Sequence, residues 1–297
     1  MRAKRPRTAQ EVERLLQHDV LPVWRGRRLS TLTKADTHRL LDPLVDRAPV
    51  LANRVLSTLK TFGRWAVERG VIERSPFEGV RQPAEEQTRD RTLDDEEIAA
   101  LMKALRSEGY PLDPLVELLL RLGARRTEIA EMTWKELDIE AGLWTLPKER
   151  SKNKQQHVLP LPDIVVGILR GLPRFPASPW VFTYDGAGPV RSFQEPKKRL
   201  DRAMAAELGG PVKAWTMHDL RRTAASRMAE LQIAPHVVER VLNHRSGTIK
   251  GVAAVYNRYD YRVEQLAALE AWSTRLAEIA SGVPAPSNVI ALGVARG

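Results

Sequence analysis

Tyrosines and basic side chains, rather than cysteines or paired carboxylates, are the groups through which this sequence could do chemistry. Three of its five tyrosines, Tyr256, Tyr259 and Tyr261, fall within one short stretch that follows His244. The chain has no cysteine, which excludes disulfides, thiolate nucleophiles and thiolate metal sites. A phenol has a pKa of about 10 and is a weak nucleophile near neutral pH. A reactive tyrosine would therefore need a neighbouring base and a positive field.

Suitable cations occur at the starts of two predicted helices. In AWTMHDLRRTAASRMAE, Thr216 can cap a helix with Asp219 three residues later, which places His218 and Arg221 on one side of that helix. In LGARRTEIAEMTW, Arg125 opens a helix, where its positive charge opposes the helix dipole and indicates an anionic ligand. Each pattern alone is weak evidence, and for His218 and Arg221 alone a solvated basic helix start is the better explanation.

Net charge and hydropathy limit the kinds of molecule to which the protein is expected to bind. The net charge is +10 over 297 residues, and most of the excess lies in the first 91 residues, which favours a polyanion such as nucleic acid. The basic start of the chain has no apolar segment of the signal-peptide type. The longest apolar run, PLVELLLRLG, is too short to cross a bilayer. We therefore expect no membrane association.

Helical periodicity dominates the chain, so the predicted fold class is mainly α. Residues 1–80 read as a helical domain, 81–92 as a Pro- and charge-rich linker, and 281–297 as a flexible tail. Residues 93–280 read as a second, mainly helical domain with a small β-sheet or hairpin. The hairpin strands are predicted in LWTLPKE and QHVLPLP, and Lys152 lies near the tip between them.

Six groups occur in a distinctive order along the chain. They are Arg125, Lys152, His218, Arg221, His244 and Tyr256. With the stretches that carry them, LGARRTEIAEMTW, ERSKNKQQHVLPLP, HDLRRTAASRMAE, VLNHRSG and VAAVYNRYDY, this order resembles the tyrosine recombinase (phage integrase) family. The resemblance covers roughly residues 8–280 and points to integrases of prophages and genomic islands.

The resemblance implies an organisation and a set of partners. Residues 1–80 would be a core-binding, SAM-like DNA-binding domain and residues 93–280 the catalytic domain. The partner would be double-stranded DNA carrying attachment or core sites, bound by a homotetramer, with a host DNA-bending protein or directionality factor as a further candidate. The protein would be cytoplasmic and associated with the nucleoid. Few residues precede the first predicted helix, so we expect no recognition of distant arm-type sites by this chain.

The resemblance also implies the reaction. A tyrosine oxygen attacks a DNA phosphodiester, giving a 3′-phosphotyrosyl bond and a free 5′-hydroxyl, without cofactor, metal or ATP. Tyr256 is the expected nucleophile, and Tyr259 and Tyr261 are expected to serve packing. Two guanidiniums, those of Arg125 and Arg221, would bind the non-bridging phosphate oxygens.

The remaining roles follow from the same resemblance. His218 would accept the proton of the nucleophile, and Lys152 would protonate the departing 5′-oxygen as general acid. His244 would hydrogen-bond a non-bridging oxygen, and Glu128 would orient the site without reacting. Two alternatives stay open: a relaxing topoisomerase of type IB, and a catalytically inactive DNA-binding regulator of the same fold.

Overall fold

The structure is a computed structural model that describes residues 6–86, 89–244 and 260–282. The chain divides into two compact units, Met1–Arg89 and Asp90–Gly297, with the boundary inside the segment 81–92. The predicted nucleophile Tyr256 lies outside the described residues. Among those that are described, no helix has the length and apolar character that a membrane span requires.

The first unit is built of helices alone in its described part. Its elements are α1 (Pro6–Leu15), a π-helical turn (Leu16–Val20), α2 (Leu21–Trp24), a 3-10 turn (Leu29–Thr31), α3 (Lys34–Arg47) and α4 (Pro49–Glu68). Leucines and valines of these helices form the core together with Trp24 and Phe77, whose rings stack with centroids 5.9 Å apart. The helix α3 begins with a capping box in which Thr33 and Asp36 satisfy each other's backbone N–H groups.

The second unit is mainly helical and carries a small sheet. Its helices are α5 (Asp95–Glu108), α6 (Leu112–Leu122), α7 (Arg126–Ala130), α8 (Asp163–Arg170), α9 (Gln194–Leu208), α10 (Met217–Glu230), α11 (Pro235–Val241) and α12 (Arg262–Ser281). A 3-10 turn (Trp134–Glu136) leads into the sheet. The prediction of a mainly α fold with a small β-sheet is confirmed.

The sheet contains three antiparallel strands in the order β1 (Leu137–Asp138), β2 (Leu143–Leu146) and β3 (His157–Pro160). The register of the β2–β3 hairpin pairs Leu146 with His157, at the end from which the connecting loop leaves. Both predicted hairpin strands are therefore present, and Lys152 lies in the loop between them. The two-residue strand β1 was not predicted.

The helix α6 is the centre of the second unit, because it packs against α5, α7, α8, α10 and α12. Nine of its residues are buried, including the basic residue Arg121. The indole Nε1 of Trp272, in α12, donates a hydrogen bond of 2.9 Å to the carbonyl of Leu120. These contacts fix the carboxyl end of α6, at which the chain turns towards the candidate site.

Gly123 ends α6 in the left-handed conformation, with a φ of +57°. A Cβ at this position would lie 2.8 Å from Leu242 Cδ2 and 3.3 Å from Ala224 Cβ. Gly209 ends α9 with a φ of +67°, yet a Cβ there would meet nothing within 4 Å. The two positions share the conformational requirement and differ in the space around them.

We expect Gly123→Ala to lower the free energy of unfolding by about 2–4 kcal/mol, because left-handed strain and overpacking add together. The matched control Gly209→Ala carries the strain alone and should lose about 1 kcal/mol. Urea unfolding followed by far-UV circular dichroism measures both values. Equal losses in the two variants would show that the approach of Leu242 to the glycine has no energetic consequence.

Candidate active site

The first group of the site stands at the start of α7. Arg125 is the N-cap residue, and its backbone N–H and its Nη1 donate hydrogen bonds of 3.0 and 2.8 Å to the two carboxylate oxygens of Glu128. Glu128 is 5% exposed, so its charge is buried beside the guanidinium. The carboxylate compensates for an arginine at the positive end of a helix and fixes the direction in which Arg125 points.

A second guanidinium, that of Arg221, lies near the guanidinium of Arg125 and is more deeply buried. Arg221, in α10, is 4% exposed. Its Nη1 donates to the carbonyl of Gly123 at 2.7 Å and its Nη2 to the carbonyl of Leu242 at 2.5 Å. Burial, reinforced by the charge of Arg125, lowers the pKa of Arg221 to about 10. The side chain remains a cation at neutral pH.

Two histidines, His218 and His244, lie near these arginines, and both are exposed to solvent. Burial of part of the ring, followed by the charges of Arg222 and Arg221, lowers the pKa of His218 below its ordinary value. Partial burial, Arg221 and Arg125 do the same for His244. Both rings are therefore neutral near pH 7, the state in which an imidazole can accept a proton or a hydrogen bond.

The first residue of α10 is set by the capping box that the sequence predicted. Asp219 Oδ2 accepts hydrogen bonds of 2.8 Å from the backbone N–H of Thr216 and 3.0 Å from its hydroxyl. Asp219 is fully buried and also accepts from Arg222 at 2.6 Å. This cap fixes the helical turn that carries His218 and Arg221.

The hairpin loop is tied to the same region on the side of α7. Arg150 Nη2 donates hydrogen bonds of 2.8 Å to the carbonyl of Glu128 and 3.2 Å to that of Thr127. Its Nη1 forms an ion pair with Glu136, a buried carboxylate that also accepts from Trp144 Nε1 at 3.0 Å. Arg150 thus connects the base of the loop to the helix that begins after Arg125.

The tip of the loop is tied to the segment that precedes His244. Lys152 is exposed, and its two neighbours both contact Asn243. Asn153 Nδ2 donates to the backbone carbonyl of Asn243 at 2.7 Å and to its Oδ1 at 3.1 Å, while Asn243 Nδ2 donates to Ser151 Oγ at 3.3 Å. The loop therefore carries Lys152 to the same site as His244.

Sequence reasoning missed His157, the first residue of β3. Its ring lies beside the backbone of Val241. Its Nε2 is buried without a hydrogen-bond partner among the residues that the structure describes. Burial lowers the pKa of His157 to about 4, with Arg125 and Arg221 acting in the same direction. The only sequence signal was a histidine at the mouth of the predicted hairpin.

The structure brings together most of the predicted site. Electrostatic interactions join five of its members: Arg125, Glu128, Arg221, His218 and His244. The loop that carries Lys152 is hydrogen-bonded to the backbone carbonyl of Glu128 and to Asn243.

The crowded tyrosines are only partly described. Tyr256 and Tyr259 lie outside the described ranges 6–86, 89–244 and 260–282, so the geometry of the predicted nucleophile is not part of this arrangement. Tyr261 precedes α12 with a left-handed φ of +56°. Its ring lies under the guanidinium of Arg240 at 4.1 Å and packs edge-on against His236 at 5.3 Å.

Comparison with known proteins gives a family match over the part of the chain that holds the site. The model of the phage integrase family matches residues 91–261. Prophage integrase IntZ of Escherichia coli (strain K12) is 26% identical over 283 residues, which are 92% of this chain and 67% of that protein. Tyrosine recombinase XerC of Xylella fastidiosa (strain M23) is 28% identical over 218 residues, 70% of each chain.

Solved structures show the same fold. Residues 75–356 of lambda integrase, a dimer bound to a COC′ core site, match with a TM-score of 0.68 at 21% identity, covering 84% of this chain and 92% of that one. A lambda integrase tetramer bound to a Holliday junction matches with a TM-score of 0.66 at 22% identity, covering 84% and 75%.

The lowered pKa of His157 predicts that the folded protein loses stability in acid. Its pKa in the folded protein, about 4, lies below the ordinary value of 6.5, so between these values the unfolded chain binds the proton and the folded chain does not. The stability that this group contributes is present above pH 6.5 and is lost as the pH falls towards 4. His157→Gln should therefore lose about 1–2 kcal/mol less than the native chain on acidification from about pH 7 to pH 5.

Urea unfolding at the two pH values provides the comparison, and the difference between them removes any constant effect of the substitution. His38→Gln, at an exposed position of the first unit, is the control and should retain the native loss. If His157→Gln loses as much stability as the native chain, protonation of His157 is not the cause of the acid sensitivity.

Proposed function

Because the chain belongs to the phage integrase family, we propose that it is a tyrosine-type site-specific recombinase that cuts and rejoins duplex DNA to integrate or excise a mobile element. The observation that carries the proposal is the pair of guanidiniums of Arg125 and Arg221, held together and opposed by the carboxylate of Glu128. Two fixed cations against one anion leave a net positive centre. A phosphodiester is the anion that a DNA-cutting enzyme would place there.

Phosphoryl transfer needs positioning and charge stabilisation more than covalent help from the protein. As a nucleophile adds to phosphorus, negative charge grows on the non-bridging oxygens, and guanidiniums fixed in advance stabilise it without reorganisation. Arg125 and Arg221 perform in this scheme the electrostatic role that Mg²⁺ has in other nucleases. His244 donates a further hydrogen bond to one of these oxygens, and Glu128 keeps Arg125 in place.

In the cutting step, Tyr256 Oη forms a bond to phosphorus and the bond from phosphorus to O5′ breaks. His218 accepts the proton of the phenol, since its lowered pKa keeps the ring neutral near pH 7. Lys152 gives a proton to O5′. The phosphotyrosyl bond conserves the energy of the phosphodiester, so the reverse attack by a 5′-hydroxyl rejoins the strand without ATP.

The wider assembly belongs to the same proposal. Residues 1–80 act as the core-binding domain and residues 93–280 as the catalytic domain, joined by the linker 81–92, and four copies act on two DNA sites. The lambda integrase tetramer bound to a Holliday junction supports this assembly. A host DNA-bending protein or a directionality factor would select between integration and excision, and the protein would work at the nucleoid in the cytoplasm.

The nucleophile is tested by trapping the covalent intermediate. Purified protein is mixed with nicked duplex fragments from the DNA that flanks its own coding sequence and is stopped with SDS. We expect a protein–DNA adduct that Tyr256→Phe abolishes, because a phenyl ring has no attacking oxygen. Tyr259→Phe and Tyr261→Phe are matched controls and should retain the adduct. An adduct that persists in Tyr256→Phe, or gel-shift binding with no adduct from the native protein, would contradict the proposal.

Site specificity separates a recombinase from a relaxing topoisomerase. Sequencing the trapped DNA gives the core site, which is then placed in one or in both of two supercoiled plasmids. We expect joint molecules when both plasmids carry the site, because strand exchange requires two bound sites. Relaxation of a plasmid without the site at a comparable rate, and no joint molecules, would favour the topoisomerase alternative.

A further inference from the structure

Asn243 occupies an unusual backbone position at the centre of the candidate site. It has a φ of +50°, in the left-handed region that glycine adopts most easily. It follows the end of α11 and precedes His244. Asparagine is among the few non-glycine residues that enter this region readily, so the backbone alone would be served at least as well by glycine. The side-chain amide therefore invites a functional explanation.

Asn243 forms hydrogen bonds with the residues on both sides of Lys152 in the sequence. Its backbone carbonyl and its Oδ1 both accept from Asn153 Nδ2, at 2.7 and 3.1 Å, and its own Nδ2 donates to Ser151 Oγ at 3.3 Å. These bonds span 90 and 92 residues of sequence. They join the residues immediately before and after Lys152 to the residue immediately before His244.

The same peptide also reaches a phosphate-binding arginine. The carbonyl of Asn243 lies 3.4 Å from Arg125 Nη2, which donates to it. One carbonyl thus accepts from the loop that holds Lys152 and from the guanidinium that would hold the phosphate. The position of the loop relative to the guanidinium of Arg125 is set through this peptide.

We propose that Asn243 is a positioning residue that, with Asn153, places Lys152 for proton transfer to the leaving oxygen. The inference rests on the proposed function of Lys152 as general acid. A lysine side chain has several rotatable bonds, and a general acid must come within hydrogen-bond reach of its target. The hydrogen bonds to Asn243 restrict the backbone from which Lys152 extends. Nζ therefore samples fewer positions and lies within reach of O5′ more often.

The chemistry of the leaving group provides a direct test. With the natural phosphodiester, the electron pair of the broken bond goes to O5′, which must take a proton from Lys152 Nζ. When sulfur replaces the bridging 5′-oxygen, the electron pair goes to sulfur. A thiol has a pKa of about 8.5, close to that of cysteine, so the thiolate departs without a proton. A defect in proton delivery therefore appears with the oxygen substrate and disappears with the sulfur substrate.

The experiment measures single-turnover cleavage of matched oxygen and sulfur substrates by the full chain, using the core site obtained from the trapped adduct. The variants are Asn243→Gly, which suits the left-handed backbone but lacks the amide, and Asn153→Ala, which lacks the donor. Each should slow the oxygen substrate about tenfold or more, part of the 10²–10⁴ that a general acid contributes. Cleavage of the sulfur substrate should stay within about threefold of the native rate, since no proton is needed there.

Three further variants complete the design. The double variant Asn243→Gly/Asn153→Ala should be little slower than either single variant, because both remove the same contact. Gln155→Ala, at an exposed position of the same loop, should leave the ratio of oxygen to sulfur rates unchanged. Lys152→Ala should show the largest loss with oxygen and full recovery with sulfur.

The outcomes test the role of Lys152 and the role of Asn243 separately. If Lys152→Ala is slow on both substrates, its role as general acid is wrong and the inference about Asn243 falls with it. If Lys152→Ala recovers with sulfur while Asn243→Gly and Asn153→Ala cleave oxygen at the native rate, or are slowed equally on both substrates, the general acid stands and Asn243 does not position it.

Discussion

The structure of the candidate site depends on keeping two guanidiniums together, one of them buried. Arg125 and Arg221 repel each other, and Arg221 has lost most of its contact with water. A buried cation is tolerated only where other groups replace its hydration. Here the replacement comes from two backbone carbonyls, those of Gly123 and Leu242, and from the buried carboxylate of Glu128 beside Arg125.

Both carbonyls belong to residues that end helices, Gly123 after α6 and Leu242 after α11. The last carbonyls of a helix lack partners within it and carry the negative end of its dipole. Arg221 supplies donors to two such ends at once, so a side chain that is costly to bury satisfies groups that are costly to leave unpaired. This arrangement requires the two helix ends to approach closely, and it explains why the residue at 123 has no side chain: Leu242 lies where a Cβ would project.

Much of this arrangement follows from local sequence, and part of it does not. Helical periodicity, the Thr216–Asp219 cap and the hairpin strands are short-range signals, and the structure confirms them. The strand β1 is too short to show an alternating pattern. The bonds from Asn153 to Asn243 join residues 90 positions apart, and no local pattern encodes such a contact.

The order of Arg125, Lys152, His218, Arg221 and His244 in the sequence indicated which groups belong together, but it did not indicate how each is held. The structure separates them into two classes. Arg125 and Arg221 are fixed by buried partners, a carboxylate and two backbone carbonyls, as suits groups that are proposed to present an unchanging positive field. His218, His244 and Lys152 are exposed and reach the site from helix starts and loops.

Groups that exchange protons need contact with solvent and some freedom to follow the reacting atoms, which a fully buried cation cannot have. The loop that carries Lys152 lies between these two extremes. It is exposed at Lys152 and hydrogen-bonded at Arg150 and Asn153, so the backbone from which the lysine extends is held in place. The two guanidiniums are thus fixed by buried groups and His218 by the cap of α10, whereas the loop that carries Lys152 depends on long-range hydrogen bonds to Asn243. Both arginines donate to backbone carbonyls of the segment around Asn243, so substitutions that change only the side chain of Asn243 can alter the proposed proton transfer while the arginines keep their partners.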